Sequence, residues 1–60
     1  MKTELTKFHT VNEVADALGV SARSVRRWIK RGDLIAHHFG TAVRVADSDH
    51  KAFIERRRRP

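Results

Sequence analysis

The sequence predicts a mainly α-helical domain with one small β-hairpin, in the order helix, helix, hairpin, helix. Three observations support this: two short apolar stripes have helical spacing, a glycine separates them, and a later segment alternates between apolar and polar residues. The chain has 60 residues and no cysteine. We therefore expect a single domain over residues 1–60, with a small core and no disulfide bonds.

The first helix begins after Thr10, because Thr10 and Glu13 have the spacing of a capping box. Gly19 ends it, since glycine readily adopts the left-handed conformation of a helix C-terminus. Four apolar residues between them form one stripe: Val11, Val14, Ala15 and Leu18. Residues 1–7 are polar, and we expect a flexible N-terminus there.

The second helix follows after a turn of about three residues. Ser21 is suited to cap it, and Gly32 ends it. Its apolar side consists of Ala22, Val25 and Ile29, with Trp28 beside them. A lone Trp in an amphipathic helix is more often a core-rim residue than a base-stacking one, so we expect Trp28 at the core. The two helices together predict a helix-turn-helix.

The hairpin is predicted over residues 34–46. Residues 34–39 form its first strand, and Gly40 with Thr41 gives the turn. In the second strand, Val43 and Val45 lie on one side and Arg44 on the other. Such a hairpin after a helix-turn-helix would act as a wing.

The last helix starts at Asp47 or Ser48, either of which can cap it. His50, Phe53 and Ile54 then have helical spacing, and we expect His50 to be a partly buried structural residue. Residues 56–60 are predicted to form a basic C-terminal tail.

The positive charge is concentrated in two segments. The chain has a net charge of +6 and a pI near 11.2. Residues 21–31 contain five Lys or Arg and no acidic residue, and four arginines follow Glu55. A compact basic domain predicts a polyanionic partner, double-stranded DNA before a membrane surface.

The second helix offers the residues best suited to read DNA. Arg23, Arg27 and Lys30 have i, i+4, i+7 spacing and share a face. Arginine can bond guanine O6 and N7 in the major groove, so we expect these three to contact bases. The flanking phosphate candidates are Ser21, Ser24, Arg26 and Arg31.

The hairpin and the tail offer further contacts. The wing candidates for backbone or minor-groove contact are His37, His38, Thr41 and Arg44. The alternative for Arg44 is an ion pair with Asp47 or Asp49. The tail candidates for phosphate contact are Arg56, Arg57, Arg58 and Arg59, with a solvated tail or a protein partner as alternatives.

Several classes of function are not expected. No catalytic constellation is apparent, so we expect no enzymatic activity. His37 and His38 are adjacent and would point to opposite faces of a strand, and with no cysteine we expect no metal site. We also expect no cofactor, no small-molecule ligand and no membrane contact. With no signal peptide or long apolar stretch, we expect a cytoplasmic protein of a bacterial cell.

Two segments resemble a known family. TVNEVADALGVS at residues 10–21 and SVRRWIKRGDL at residues 24–34 are similar to the excisionase-type, MerR-like helix-turn-helix family. The similarity continues through Gly40, Arg44, Asp49 and Phe53, and thus spans residues 8–54. His50 departs from the family pattern, which usually has an aliphatic residue there. Residues 21–30 also resemble the recognition helix of lambdoid phage excisionases.

The resemblance implies a winged helix-turn-helix and a role as a phage excisionase, also called a recombination directionality factor. It implies base contacts from Arg23, Arg27 and Lys30, phosphate contacts from Ser24 and Arg26, and a wing contact from Arg44. Such proteins would bind head to tail near attachment sites, bend the nucleoid DNA and assist a tyrosine integrase. The alternatives are a small MerR-like transcriptional regulator and, from another class, a basic protein-interaction module.

Overall fold

The computed structural model describes residues 7–57 and confirms the predicted winged helix-turn-helix. Three helices pack with a three-stranded antiparallel sheet. The elements in chain order are β1 (Phe8–Thr10), α1 (Val11–Leu18), α2 (Ala22–Arg31), β2 (His37–Phe39), β3 (Ala42–Ala46) and α3 (Asp47–Arg57).

The ends of α1 and α2 follow the capping residues that the sequence indicates. The Thr10 hydroxyl accepts from the backbone N–H of Glu13 at 3.0 Å, and the Glu13 carboxylate accepts from the Thr10 N–H at 2.8 Å. Ser21 accepts from the N–H of Ser24 and begins α2. Gly19, with φ 68°, ends α1 in the left-handed conformation, which costs glycine little because it has no Cβ.

The sheet has one strand more than the sequence predicts. Its order is β1-β3-β2, with Phe8 opposite Ala46 and His37 opposite Arg44. Strand β1 is not predictable from the sequence, because a three-residue strand is too short to show an alternation and its pairing partner lies far along the chain. The first strand of the hairpin is also shorter than predicted. It was expected over residues 34–39, but only residues 37–39 pair with β3.

The core lies where α1, α2 and α3 meet β3. Its fully buried side chains are Val14, Val25, Leu34 and Val45, and Val11, Ala15 and Phe53 complete the cluster. Trp28 packs against this cluster, with its ring centroid 5.0 Å from that of Phe53, so its predicted place at the core rim is confirmed. These contacts fix the orientation of α2 and therefore which of its residues face outward.

The predicted start of the C-terminal tail, at residue 56, is wrong. Helix α3 continues through Arg57, so Arg56 and Arg57 belong to its last turn. The described residues do not include Arg58 and Arg59 of the predicted tail. They also do not include the predicted flexible N-terminus, except for Lys7. Within residues 7–57, no helix has the length and apolar character needed to cross a membrane.

Candidate nucleic-acid interface

Helix α2 presents one apolar side to the core and one cationic side to solvent. Val25 has no exposed surface, whereas Arg23, Arg27 and Lys30 are exposed. Successive residues are rotated by about 100° in an α-helix, so these three cations lie roughly opposite Val25. No acidic residue occurs in the helix. The buried side therefore determines that the cations point away from the protein.

The exposed cations of α2 are available to an external anion. No ion pair within residues 7–57 involves Arg23, Arg27 or Lys30. A polyanion that approaches this face does not have to displace a protein carboxylate first. We call these three residues, with Arg26, the cationic face of α2.

A groove with a volume of about 520 Å³ lies between α2, the start of α1 and the hairpin. Arg26 of α2 and Arg44 of β3 both line it, together with the wing candidates His38 and Thr41. The remaining lining residues are Thr10, Val11, Asn12, Ile29, Ala42 and Val43, so the lining contains no carboxylate. The groove thus joins the cationic face of α2 to the hairpin in one positively charged surface.

Arg44 does not form the ion pair with Asp47 or Asp49 that was the alternative to a DNA contact. Its Nη1 donates to the backbone oxygen of Val43 at 2.9 Å. The two nearby acids contact histidines instead: Asp47 lies 2.7 Å from His9, and Asp49 lies 3.4 Å from His37. Arg44 therefore lines the groove without an acidic partner among residues 7–57.

The serine candidates at the start of α2 have a local structural role. The Ser21 hydroxyl accepts from the N–H of Ser24 at 3.2 Å and also donates to the Ser24 hydroxyl at 3.2 Å. Both residues thus lie at the N-terminal end of α2. The positive end of a helix dipole favours an anion at this position.

Beyond the C-terminal end of α2, Asp33 contacts three arginines of the protein. The Asp33 carboxylate lies 3.8 Å from Arg31 and 3.6 Å from Arg57. Nη2 of Arg56 donates to the backbone oxygen of Asp33 at 2.7 Å. The Arg57 guanidinium also lies over the rings of Phe53 and Trp28, 4.7 and 5.5 Å from their centroids. Arg56 and Arg57 are therefore packed beside α2 and are not part of a free tail.

His9, Asp47 and His50 form a second polar cluster, which the sequence does not predict. Nε2 of His9 lies 2.7 Å from Oδ1 of Asp47, and the rings of His9 and His50 are 5.2 Å apart. The hydrogen bond with His9, supported by Lys51, lowers the pKa of Asp47 below its usual value. Burial lowers the pKa of His50. The position of His50 within an apolar stripe was the one signal in the sequence for this cluster.

The fold and the charged surface define the class of the protein: it is a DNA-binding protein of the winged helix-turn-helix type. A family model described as a helix-turn-helix domain matches residues 10–58, so the chain belongs to that family. The match begins at the N-cap of α1 and includes every element except most of β1. The chain has no significant match among curated proteins or among solved structures.

Proposed function

We propose that the protein is an excisionase, a factor that binds double-stranded DNA beside a recombination attachment site and directs an integrase toward excision. The observation that carries the DNA-binding part is the cationic face of α2, which is exposed and free of protein carboxylates. The excision part rests on the resemblance of residues 10–34 to excisionases.

In this proposal α2 lies in the major groove and reads the sequence. The helix has ten residues and is therefore about 15 Å long, and a B-DNA major groove about 12 Å wide admits an α-helix. Arg23, Arg27 and Lys30 would then face the base edges. Their side chains can donate to guanine O6 and N7.

The hairpin and the ends of α2 would hold the DNA backbone. Arg26 and Arg44 line one groove, so a phosphate entering it would meet two guanidinium groups, with His38 and Thr41 at the hairpin as further donors. On α2 itself, Ser21 and Ser24 would contact phosphates on one side of the base-reading residues. Arg31 would do so on the other side, where a phosphate would compete with Asp33 for its guanidinium. Such contacts set the position of α2 without reading sequence.

Several copies bound head to tail would bend the DNA and favour the excisive complex of a tyrosine integrase. Bending a short site costs about 1–6 kcal/mol, so contacts from several copies are needed to offset it. An exposed apolar patch supports contact between neighbouring copies. It consists of Phe8 and Phe39, which are 39% and 53% exposed and whose ring centroids are 5.5 Å apart.

The test has two stages. Selection from random duplexes would identify the preferred site, and permuted fragments that carry this site would report bending by gel mobility. An in vitro excision reaction with the integrase of the same mobile element would then be run with and without the protein. We expect a bent complex and stimulated excision.

Other outcomes would identify the alternatives. Site-specific binding with no effect on excision, but with a change in promoter activity, would identify a transcriptional regulator. Failure to bind any duplex at low salt, where phosphate contacts are strongest, would contradict DNA binding and favour a basic protein-interaction module.

A further inference from the structure

We propose that His9, Asp47 and His50 form a binding site for a divalent transition-metal ion, with Zn²⁺ as the best match. One imidazole nitrogen from each histidine and one oxygen of the carboxylate all lie within 4.8 Å of one another. The site is separate from the cationic face of α2. It would join β1, which carries His9, to the first turn of α3, which carries Asp47 and His50.

The distances suit a zinc ion after small side-chain movements. Zn–N and Zn–O bonds of about 2.0–2.2 Å in a tetrahedral arrangement place the ligand atoms about 3.4 Å apart. One pair, Nε2 of His9 and Oδ1 of Asp47, is 2.7 Å apart, and no two donor atoms of the cluster are more than 4.8 Å apart. Changes of up to about 1.4 Å in these separations therefore bring all three donors into coordination range.

The three side chains are held on a rigid frame. His9 lies in β1 opposite Val45, whose side chain is fully buried in the core. The backbone N–H of Asp47 donates to the oxygen of Lys7 at 2.7 Å, which ties the start of α3 to β1. Asp47 and His50 have i, i+3 spacing and so share one side of α3. The second carboxylate oxygen of Asp47 contacts Lys51 at 3.2 Å, which orients the group.

His50 supplies an independent indication. Its Nε2 is buried and has no hydrogen-bond partner within residues 7–57. Buried polar atoms are nearly always satisfied, so this buried nitrogen of the half-buried His50, in a residue beside a carboxylate and a second imidazole, favours a partner that the protein does not provide. Two imidazoles and one carboxylate suit Zn²⁺ and other divalent first-row transition metals, whereas Mg²⁺ and Ca²⁺ prefer oxygen ligands.

Zinc at this site would stabilise the fold. A 60-residue chain without cysteine has a small core and no disulfide, and a metal ion that binds only the folded chain adds to its stability. The metal would fix β1 and hence the start of α1, which follows directly. Its effect would appear in stability and not in the choice of DNA site.

The test uses the full chain without an affinity tag, titrated with ZnCl₂ in calorimetry and in thermal unfolding. We expect one ion per chain, and a rise in Tm of roughly 5–10 °C at zinc concentrations about tenfold above Kd. MgCl₂ at the same concentration should have no such effect. The imidazole ¹⁵N resonances of His9 and His50 should shift, while those of His37 and His38 should not.

Two variants distinguish zinc binding at this cluster from nonspecific zinc binding by other histidines. His50→Leu removes one ligand with an apolar side chain of similar size and should weaken zinc binding at least about tenfold. His38→Ala removes a histidine outside the cluster and should leave the zinc affinity unchanged. The proposal is overturned if the unmodified chain binds no zinc stoichiometrically, if His37 and His38 shift instead, or if both variants bind zinc like the original chain. The resonance shifts decide the matter even if His50→Leu does not fold.

Discussion

Two groups of arginines in this molecule have the same charge but different surroundings. Arg23 and Arg27 on α2 are exposed, lie roughly opposite the buried Val25 and have no ion pair within residues 7–57. Arg56 and Arg57 at the end of α3 are also exposed, yet they contact Asp33, and Arg57 lies over Trp28 and Phe53. The first group forms no ion pair with the described part of the fold, whereas the second is bound to it by an ion pair, a hydrogen bond and cation–π contacts.

We expect local contacts, more than net charge, to determine what each arginine contributes. A guanidinium that already contacts a carboxylate and two aromatic rings must lose those contacts before it binds a phosphate or a base. One without such contacts loses only water and side-chain freedom. The α2 group is therefore suited to recognition and the α3 group to stability, and substitutions should separate these two roles.

The largest effect is expected from Arg27→Ala. The change should lower affinity for the preferred DNA site by about 1–3 kcal/mol, because it removes a base contact in the major groove. Tm should stay the same, since Arg27 has no ion pair in the described part of the fold. Gel-shift titrations with the preferred and a random duplex, together with thermal unfolding, measure both quantities.

Arg57→Ala is the matched control for Arg27→Ala, because both replace one exposed arginine with alanine. Equal losses of site preference in the two variants would contradict the assignment of α2 as the recognition helix. The same conclusion would follow if Arg27→Ala bound both duplexes like the original protein.

A smaller effect is expected from Arg57→Ala on stability. Loss of the contacts with Phe53, Trp28 and Asp33 should cost about 1 kcal/mol, since exposed cation–π contacts and surface ion pairs each contribute up to about that amount. Tm should fall by roughly 4–8 °C. DNA affinity should decrease slightly and equally for all sequences.

The variant Arg57→Lys tests the origin of this stability. Lysine keeps the charge but loses the planar group that stacks on the rings, so its Tm should lie between those of Arg57→Ala and the original chain. If alanine and lysine at position 57 leave Tm unchanged, the α3 arginines are not structural and the contrast with α2 fails.

Much of the fold can be predicted from the sequence, because the residues that determine each element lie close together in the chain. The capping box of Thr10 and Glu13, the glycines at positions 19 and 32, and the alternation through Val43 and Val45 each involve residues close together in the chain. Local hydrogen bonds and side-chain periodicity determine these features, so the three helices and the hairpin are predictable.

The features that the sequence does not reveal depend on contacts between distant residues. Phe8 pairs with Ala46, and His9 meets Asp47 and His50 only because β1 joins the sheet beside β3. Arg57 was predicted to lie in a tail because nothing near it in sequence shows that Trp28 will be beneath it. Likewise the groove shared by Arg26 and Arg44 requires the hairpin to fold back toward α2.

The smallest effect is expected from Asp33→Asn, which acts at the boundary between the two groups. Asp33 lies within 4 Å of both Arg31 and Arg57, so its carboxylate neutralises part of the positive surface beside α2. Its removal frees both guanidiniums for phosphates, and surface ion pairs of this kind are worth about 0.2–1 kcal/mol. We therefore expect DNA affinity at low salt to rise about two- to fivefold for every sequence, with site preference unchanged.

Asp16→Asn on α1 is the control for this increase, because it changes the net charge equally and Asp16 forms no ion pair within residues 7–57. If both variants gain affinity equally, the cause is overall charge. If only Asp33→Asn gains, release of Arg31 and Arg57 is the cause, because the backbone oxygen of Asp33 remains available to Arg56 in both variants. A lower affinity of Asp33→Asn would show instead that Asp33 positions these arginines for DNA, so that the α3 group would itself belong to the interface.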